Sequence, residues 1–486
     1  MKIREVNRKS ICWPLVGCLL MLIGCSSKDA DEATEPPKLV FQGQSVTIRV
    51  PPDTNFAEYW DLTLAEWRGA TGAEANIIAD ESLQAPKQSA DVSVIPLTEL
   101  PQWTEQDRLA SLPTSVQDGS ALRWLDVFYG IREHTAQIGG APRIIPVSMP
   151  VLVAYYRADL LAAKDLEPPK TWTEYQQLLA TLDEWAPGLT AVEPWSPEWR
   201  ATTFLARAAA VAKPADQLSF EFDIRTGEPL IATSGFVAAL ELVQQAREHL
   251  AKDVVNYSPA DCRRELLAGR AAMGIALESA PNGQPVPFGP QTKESPSDNT
   301  RAEDVALTIE PLPGSVQTYD QSKSTFQSSP ADSPHTVTLT GFAGLCVAVS
   351  KSSASSQAAW DLALQLTAKE SAQTFPPPFG SPVRESQVDT PGMFAGQTLR
   401  PEEQGGWMNA VRTSLSSGQC IKELPVIGRK RFRDSLSVGL NAVWEGDVDS
   451  QDVLQQVAEE WRVITQELGS EAVRKSYTRG LGFPAP

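Results

Sequence analysis

Arg143-Ile144-Ile145-Pro146-Val147-Ser148-Met149-Pro150 runs straight on into Val151-Leu152-Val153-Ala154-Tyr155-Tyr156-Arg157. Branched and aromatic residues fill this stretch, and little but proline interrupts it, so it reads as extended chain long enough to cross from one lobe to another. Upstream, Val46-Thr47-Ile48-Arg49-Val50 is a strand stopped by Pro51-Pro52, and Asp91-Val92-Ser93-Val94-Ile95 is another stopped by Pro96. Between them Phe56, Tyr59, Trp60, Leu64 and Trp67 recur at helical spacing over 55–69. Strands alternating with helices predict an α/β sheet with parallel strands, whose ligands sit beyond the carboxyl ends of strands. That points to the loops 51–55 and 96–100.

Downstream, Thr171 or Thr173 caps a helix carrying Tyr175, Leu178, Leu179 and Leu182 on its apolar face. A strand is expected at 189–192, helices at 197–212 and 236–250, and a strand at 305–312. Leu345-Cys346-Val347-Ala348-Val349 reads as a buried strand, with helices at 355–368, 432–444 and 450–468 after it. The stretches 281–300 and 315–334 are rich in Ser, Pro and Asp and read as surface loops or insertions.

The 486 residues suggest about three domain equivalents or two large lobes. A formal charge of −18 argues against a nucleic-acid partner, which needs a concentrated positive surface. His134, His249 and His335 are scattered, so no metal site and no cofactor is expected. Lys2, Arg4, Arg8 and Lys9 precede an apolar stretch at 11–24 that is too short to span a bilayer and reads as a signal-peptide core. It ends in Leu22-Ile23-Gly24-Cys25, which resembles a bacterial lipobox: cleavage after Gly24 and lipidation of Cys25. Residues 25–39 are polar, acidic and proline-bearing, and read as a disordered tether. Cys262, Cys346 and Cys420 are left as structural thiols with at most one bridge among them.

Several blocks, taken in order, resemble the extracellular solute-binding proteins of family 1, which feed sugars to ABC importers. They are Ile144-Ile145-Pro146 with Ala154-Tyr155-Tyr156-Arg157-Ala158-Asp159-Leu160-Leu161, and Pro168-Pro169-Lys170-Thr171-Trp172-Thr173-Glu174. Leu266-Leu267-Ala268-Gly269-Arg270-Ala271-Ala272-Met273-Gly274-Ile275 and Glu310-Pro311-Leu312-Pro313-Gly314 follow, then Ala358-Ala359-Trp360 and Glu445-Gly446-Asp447. The resemblance implies a two-lobed, type II periplasmic-binding-protein-like α/β fold, with a hinge of crossing strands and a central cleft. It puts lobe one at 40–148 plus 279–342, lobe two at 149–278 plus 343–470, and a C-terminal tail at 471–486. The crossings fall near 148–152, 276–278 and 341–345. It implies a non-catalytic receptor, lipid-anchored outside the cytoplasm, that captures a sugar or oligosaccharide and delivers it to ABC permease subunits as a monomer. An exported carbohydrate-active hydrolase, or a receptor turned to sensing or adhesion, is the alternative. Against a hydrolase, Gly-x-Ser-x-Gly, His-Glu-x-x-His and a phosphate loop are all missing from the sequence.

A sugar site needs rings for stacking and polar groups for hydroxyls. Trp195 is the first stacking candidate, with Trp199 one turn on. Asp53 and Thr54 lie in the first loop, where a helix cap explains them equally well. Glu278 and Ser279 stand where relatives often carry a tryptophan, which leaves Glu278 as a hydroxyl acceptor. Gly341 and Phe342 mark the third crossing, and Arg384 is placed to meet an anionic ligand or pair with an acid. Trp103 and Trp407 are further loop candidates. Tyr155-Tyr156 is read as core or hinge packing, and Arg429-Lys430-Arg431-Arg433 as a solvated helix face or a docking patch for a permease.

Overall fold

The computed structural model describes residues 39–52, 56–79, 90–279, 301–368, 380–394, 399–446 and 448–484. Cys25 with the signal and tether segments, Asp53, Thr54 and the insert 281–300 lie outside the described residues.

Strand β1 (Ser45–Val50) buries Val46, Ile48 and Val50. Helix α1 (Phe56–Thr71) buries Phe56, Trp60, Leu64 and Trp67 along one face. Strand β2 (Glu74–Ala79), which the periodicity missed, pairs parallel with β1, as does β3 (Val92–Pro96), which leads through a short turn into α2 (Leu100–Glu105). The extended stretch 143–157 proves to be two strands, β4 (Ile145–Ser148) and β5 (Leu152–Arg157), in different sheets. The chain then forms α3 (Trp172–Ala180), β6 (Thr190–Val192), α4 (Arg200–Ala212), α5 (Ser234–Arg247), α6 (Pro259–Leu267) and β7 (Ala271–Leu277). Thr171 caps α3 in a reciprocal box with Glu174. Strand β8 (Leu307–Pro311), the hairpin β9 (Gln317–Asp320) and β10 (Thr325–Ser328), β11 (Thr338–Thr340), β12 (Leu345–Val349) and α7 (Ser356–Thr367) follow. The last elements are α8 (Pro401–Leu415), β13 (Cys420–Lys422), α9 (Arg429–Glu445), α10 (Ser450–Leu468) and α11 (Ser470–Gly480).

The first sheet has the order β2-β1-β3-β12-β4, parallel through β3 and antiparallel at β12. The second has the order β8-β5-β7-β6, with β8 and β7 antiparallel to β5 and β6 parallel to β7. Every residue of β5 and β7 is buried, which suits central strands covered on both faces.

Residues 149–151 carry the chain from the first sheet to the second, and 341–344 return it to the first sheet, joining β11, which pairs with β13, to β12. At the return Gly344 has φ +102, and a Cβ there would strike the Ser148 carbonyl, so only glycine lets the two crossings lie this close. These pairings correct the boundaries drawn from the resemblance. Strand β8, placed in lobe one, pairs with β5 of the second sheet. Strand β12, placed in lobe two, joins the first sheet, and α7 behind it is tied to α1 by the Trp67 indole N–H donating to Asp361 at 2.7 Å. The stretch 315–334 contains a built hairpin, and the tail contains α11. A polar composition hid both, because neither buries a long apolar run.

Candidate ligand site

The described part of the molecule has a small pocket, partly open to solvent, lined by the end of the first sheet's β3 on one side and by the segment after β13 on the other. Leu97, Leu100, Pro101 and Thr104 come from the end of β3 and from α2; Thr135 and Ile138 come from the π-helical turn Ile131–Thr135 and the segment after it. Facing them are Gly341 of the return crossing, Lys422 and Glu423 at the end of β13, Pro425, Arg429, and Ser476 and Gly480 of α11.

Strand β13 is held in place by parallel pairing to β11, and Glu423 N–H donates to the Thr340 carbonyl at 2.9 Å. The Thr340 hydroxyl also shares a 3.0 Å hydrogen bond with Thr135. Lys422 is 7 % exposed, and its ammonium donates to the carbonyls of Gln137 at 2.8 Å and Thr135 at 3.3 Å. Burial pulls its pKa down to about 7. Glu423 is buried, accepts from the Thr202 hydroxyl at 2.6 Å, is paired directly with Arg429 and lies 3.7 Å from Arg433. The two arginines outweigh desolvation and hold its carboxyl below the usual range. Nearby, Glu221 accepts from Leu424 N–H at 2.8 Å and from the Tyr477 hydroxyl at 3.0 Å, and burial raises it to about 7.

Helix α11 borders the pocket and touches both flanks. Gly139 N–H donates to the Arg479 carbonyl and Gly140 N–H to the Gly482 carbonyl, both at 2.9 Å, while Ser476 accepts from Ile427 N–H at 2.9 Å.

Of the residues singled out from sequence, Gly341 lines this pocket, with φ +73 and its backbone against the Lys422 side chain. Phe342 turns away and packs edge-on to Trp199, ring centroids 6.0 Å apart. Trp195 is 2 % exposed; Trp444 covers its ring at 5.1 Å, and its N–H donates to Glu193 at 3.3 Å. The stacking wall expected from Trp195 and Trp199 is therefore not part of this pocket. Glu278 lies at the hinge, where its carboxylate accepts from Val151 N–H at 2.8 Å, and Ser279 bonds Ser381 at 2.9 Å. Arg384 is 1 % exposed, donates to the carbonyls of Leu122 at 2.7 Å and Thr367 at 3.0 Å and lies 4.0 Å from the Asp126 carboxylate, so it pairs with an acid and braces backbone outside this pocket. Trp103 and Trp407 are helical and buried, not loop residues; Trp103 lies between the guanidiniums of Arg49 and Arg108, and Trp407 donates to the Glu278 carbonyl. Tyr155 and Tyr156 are buried core.

The basic run is the largest correction. Arg429 and Arg433 converge on Glu423, while Lys430 and Arg431 form exposed ion pairs with Asp434 and Glu467. The sequence reading also passed over Lys422-Glu423. A Lys-Glu pair set inside the apolar Cys420-Ile421 and Leu424-Pro425-Val426 was the available signal.

A sequence model of a family described as bacterial extracellular solute-binding protein matches residues 70–386, well over half of the chain. A comparison with curated proteins finds no match. Among solved structures, the sugar-binding protein MalE from Xanthomonas citri is similar at 17 % identity and TM-score 0.61, covering 87 % of this chain and 99 % of that one. A solute-binding protein from Agrobacterium radiobacter in complex with ribitol gives 16 % and 0.59 over 87 % and 99 %. Maltose-bound MalE3 of T. maritima gives 16 % and 0.57 over 86 % and 99 %. These likenesses carry the two-lobed α/β fold. On the strength of that sequence match, the chain belongs to the bacterial extracellular solute-binding proteins.

Proposed function

We propose that the chain is an exported receptor, lipid-anchored through Cys25, that captures a saccharide in the pocket between its lobes and delivers it to an ABC permease. The observation that carries this reading is the pocket itself, lined by α2 on one side and by the β13–α9 turn on the other, next to both crossings. A guest touching both walls favours the arrangement in which they face each other, so binding shifts an equilibrium and needs no bond-breaking step. The maltose and ribitol in the similar structures make carbohydrate the first class to test. Lipid anchoring rests on Leu22-Ile23-Gly24-Cys25.

Thermal unfolding in the presence of mono- and oligosaccharides tests it. A true ligand at roughly 100 times its Kd stabilises the chain by about 2.7 kcal/mol, and the saccharide is recovered intact. Appearance of a shortened product overturns the receptor reading in favour of a hydrolase.

A further inference from the structure

We propose that the pocket takes an acidic saccharide, with a carboxylate of the sugar seated against Lys422 and Arg429; this rests on the saccharide-receptor reading above. Four observations lead there.

The first is the charge around Lys422. Among the described residues no carboxylate lies within ion-pair distance of its ammonium, which is anchored only by the Gln137 and Thr135 carbonyls. The second is Arg429, whose Nε–H is buried and meets no acceptor among the described residues, although the same guanidinium pairs with Glu423. The third is a local excess of cations: Arg429 and Arg433 converge on one carboxylate, Glu423, while burial raises the neighbouring Glu221 to about 7, on a chain whose overall charge is −18. The fourth is the lining, in which no aromatic ring is found among the described residues to offer the stacking that holds a neutral sugar. An anion shielded from water gains from charge-assisted bonds to a lysine and to the planar fork of an arginine. Helix α9 also starts at Arg429 without a side-chain cap, which adds partial positive charge beside the same wall.

Burial of Lys422 makes the site sensitive to pH. Its pKa of about 7 in the empty protein means that a bound carboxylate favours proton uptake, so affinity falls as pH rises past that value. The titratable group coupled to it is His134, whose imidazole is lowered first by its own burial and then by Lys422.

The test is calorimetry and thermal shift on the exported chain with three probes: a galacturonate trisaccharide, the neutral galactose trisaccharide of the same linkage, and glucose 6-phosphate. The uronate is expected to bind about tenfold or more tighter than the neutral sugar at pH 6. The preference should shrink at pH 9 and vanish in Lys422→Met. The wild-type comparison of the two trisaccharides stands even if that variant folds poorly. Equal affinity for the two, untouched by Lys422→Met, overturns the acid preference while leaving a saccharide receptor. Tighter binding of glucose 6-phosphate assigns the pocket to a phosphate ester and overturns the carboxylate. Stabilisation by none of the three removes both readings.

Discussion

Glu193 and Glu423 are both buried carboxylates facing arginine, and they differ in what surrounds them. Glu193 accepts from Arg207 at 2.7 Å, from the Tyr175 hydroxyl at 3.0 Å and from the Trp195 indole at 3.3 Å, and Arg207 stacks 4.5 Å over the Trp172 ring. One cation meets one anion there, both side chains are fully buried, and neither lines the pocket. Glu423 meets two arginines beside an ammonium that has no acid of its own, and this cluster forms a pocket wall. A balanced pair sealed by aromatic rings holds the second sheet to its helices. A buried excess of one sign next to open space is costly unless a guest of the opposite sign completes it.

The largest effect that tests this contrast is at the balanced pair. Glu193→Gln leaves Arg207 charged and buried without an anion, and is expected to cost about 3–5 kcal/mol, read as a lowered midpoint in urea unfolding. A loss below about 1 kcal/mol would mean that water reaches this pair and that the two clusters are alike. Next comes Thr202→Val, which removes the 2.6 Å donor to Glu423 but leaves both arginines. A hydrogen bond to a charged group predicts a loss of about 2 kcal/mol, with acid-sugar affinity reduced less than in Lys422→Met. Thr202→Val leaving affinity unchanged while lowering Tm would make the Glu423 cluster structural, like that of Glu193.

Much of the fold was legible because it rests on local apolar patterning. Strands β1, β3 and β12, helix α1 and the Thr171 cap all follow from branched runs, prolines and helical spacing. The strand β2 was not, since Glu74 and Asn76 break its apolar run and its register comes from pairing with β1. Lobe assignment failed for the same physical reason: β8 and β12 look alike as sequence, and only their partners decide which sheet each joins. The site was less legible still. Gly341 was found because a crossing needs a permissive backbone, but Trp195 looked exposed beside its prolines and is covered by Trp444, some 250 residues on. Lys422 and Arg429 escaped notice because a charge inside an apolar run and a run of four basic residues both read as surface until the chain is folded.

A third buried glutamate, at the crossing between the sheets, gives the smallest effect and the finest comparison. Glu278 is fully buried at the end of β7, where its carboxylate accepts from Val151 N–H in the crossing between the sheets. Desolvation raises its pKa from 4.5 to about 7, outweighing the hydrogen bonds from Ser381 and Val151 that favour the charged form. The folded chain therefore holds a proton between those two values that the unfolded chain has released. The stability Glu278 contributes is complete below about pH 4.5 and is lost as pH rises through about 7. Glutamine imitates the protonated acid, so Glu278→Gln should approach the parent as pH falls to about 4 and exceed it at pH 8, with the difference growing by about 1 kcal/mol between pH 6 and 8. Urea unfolding of both proteins across that range measures it. A flat difference would mean that Glu278 is ionised in the folded state, as Glu423 is, and that a cation or water reaches the crossing segment.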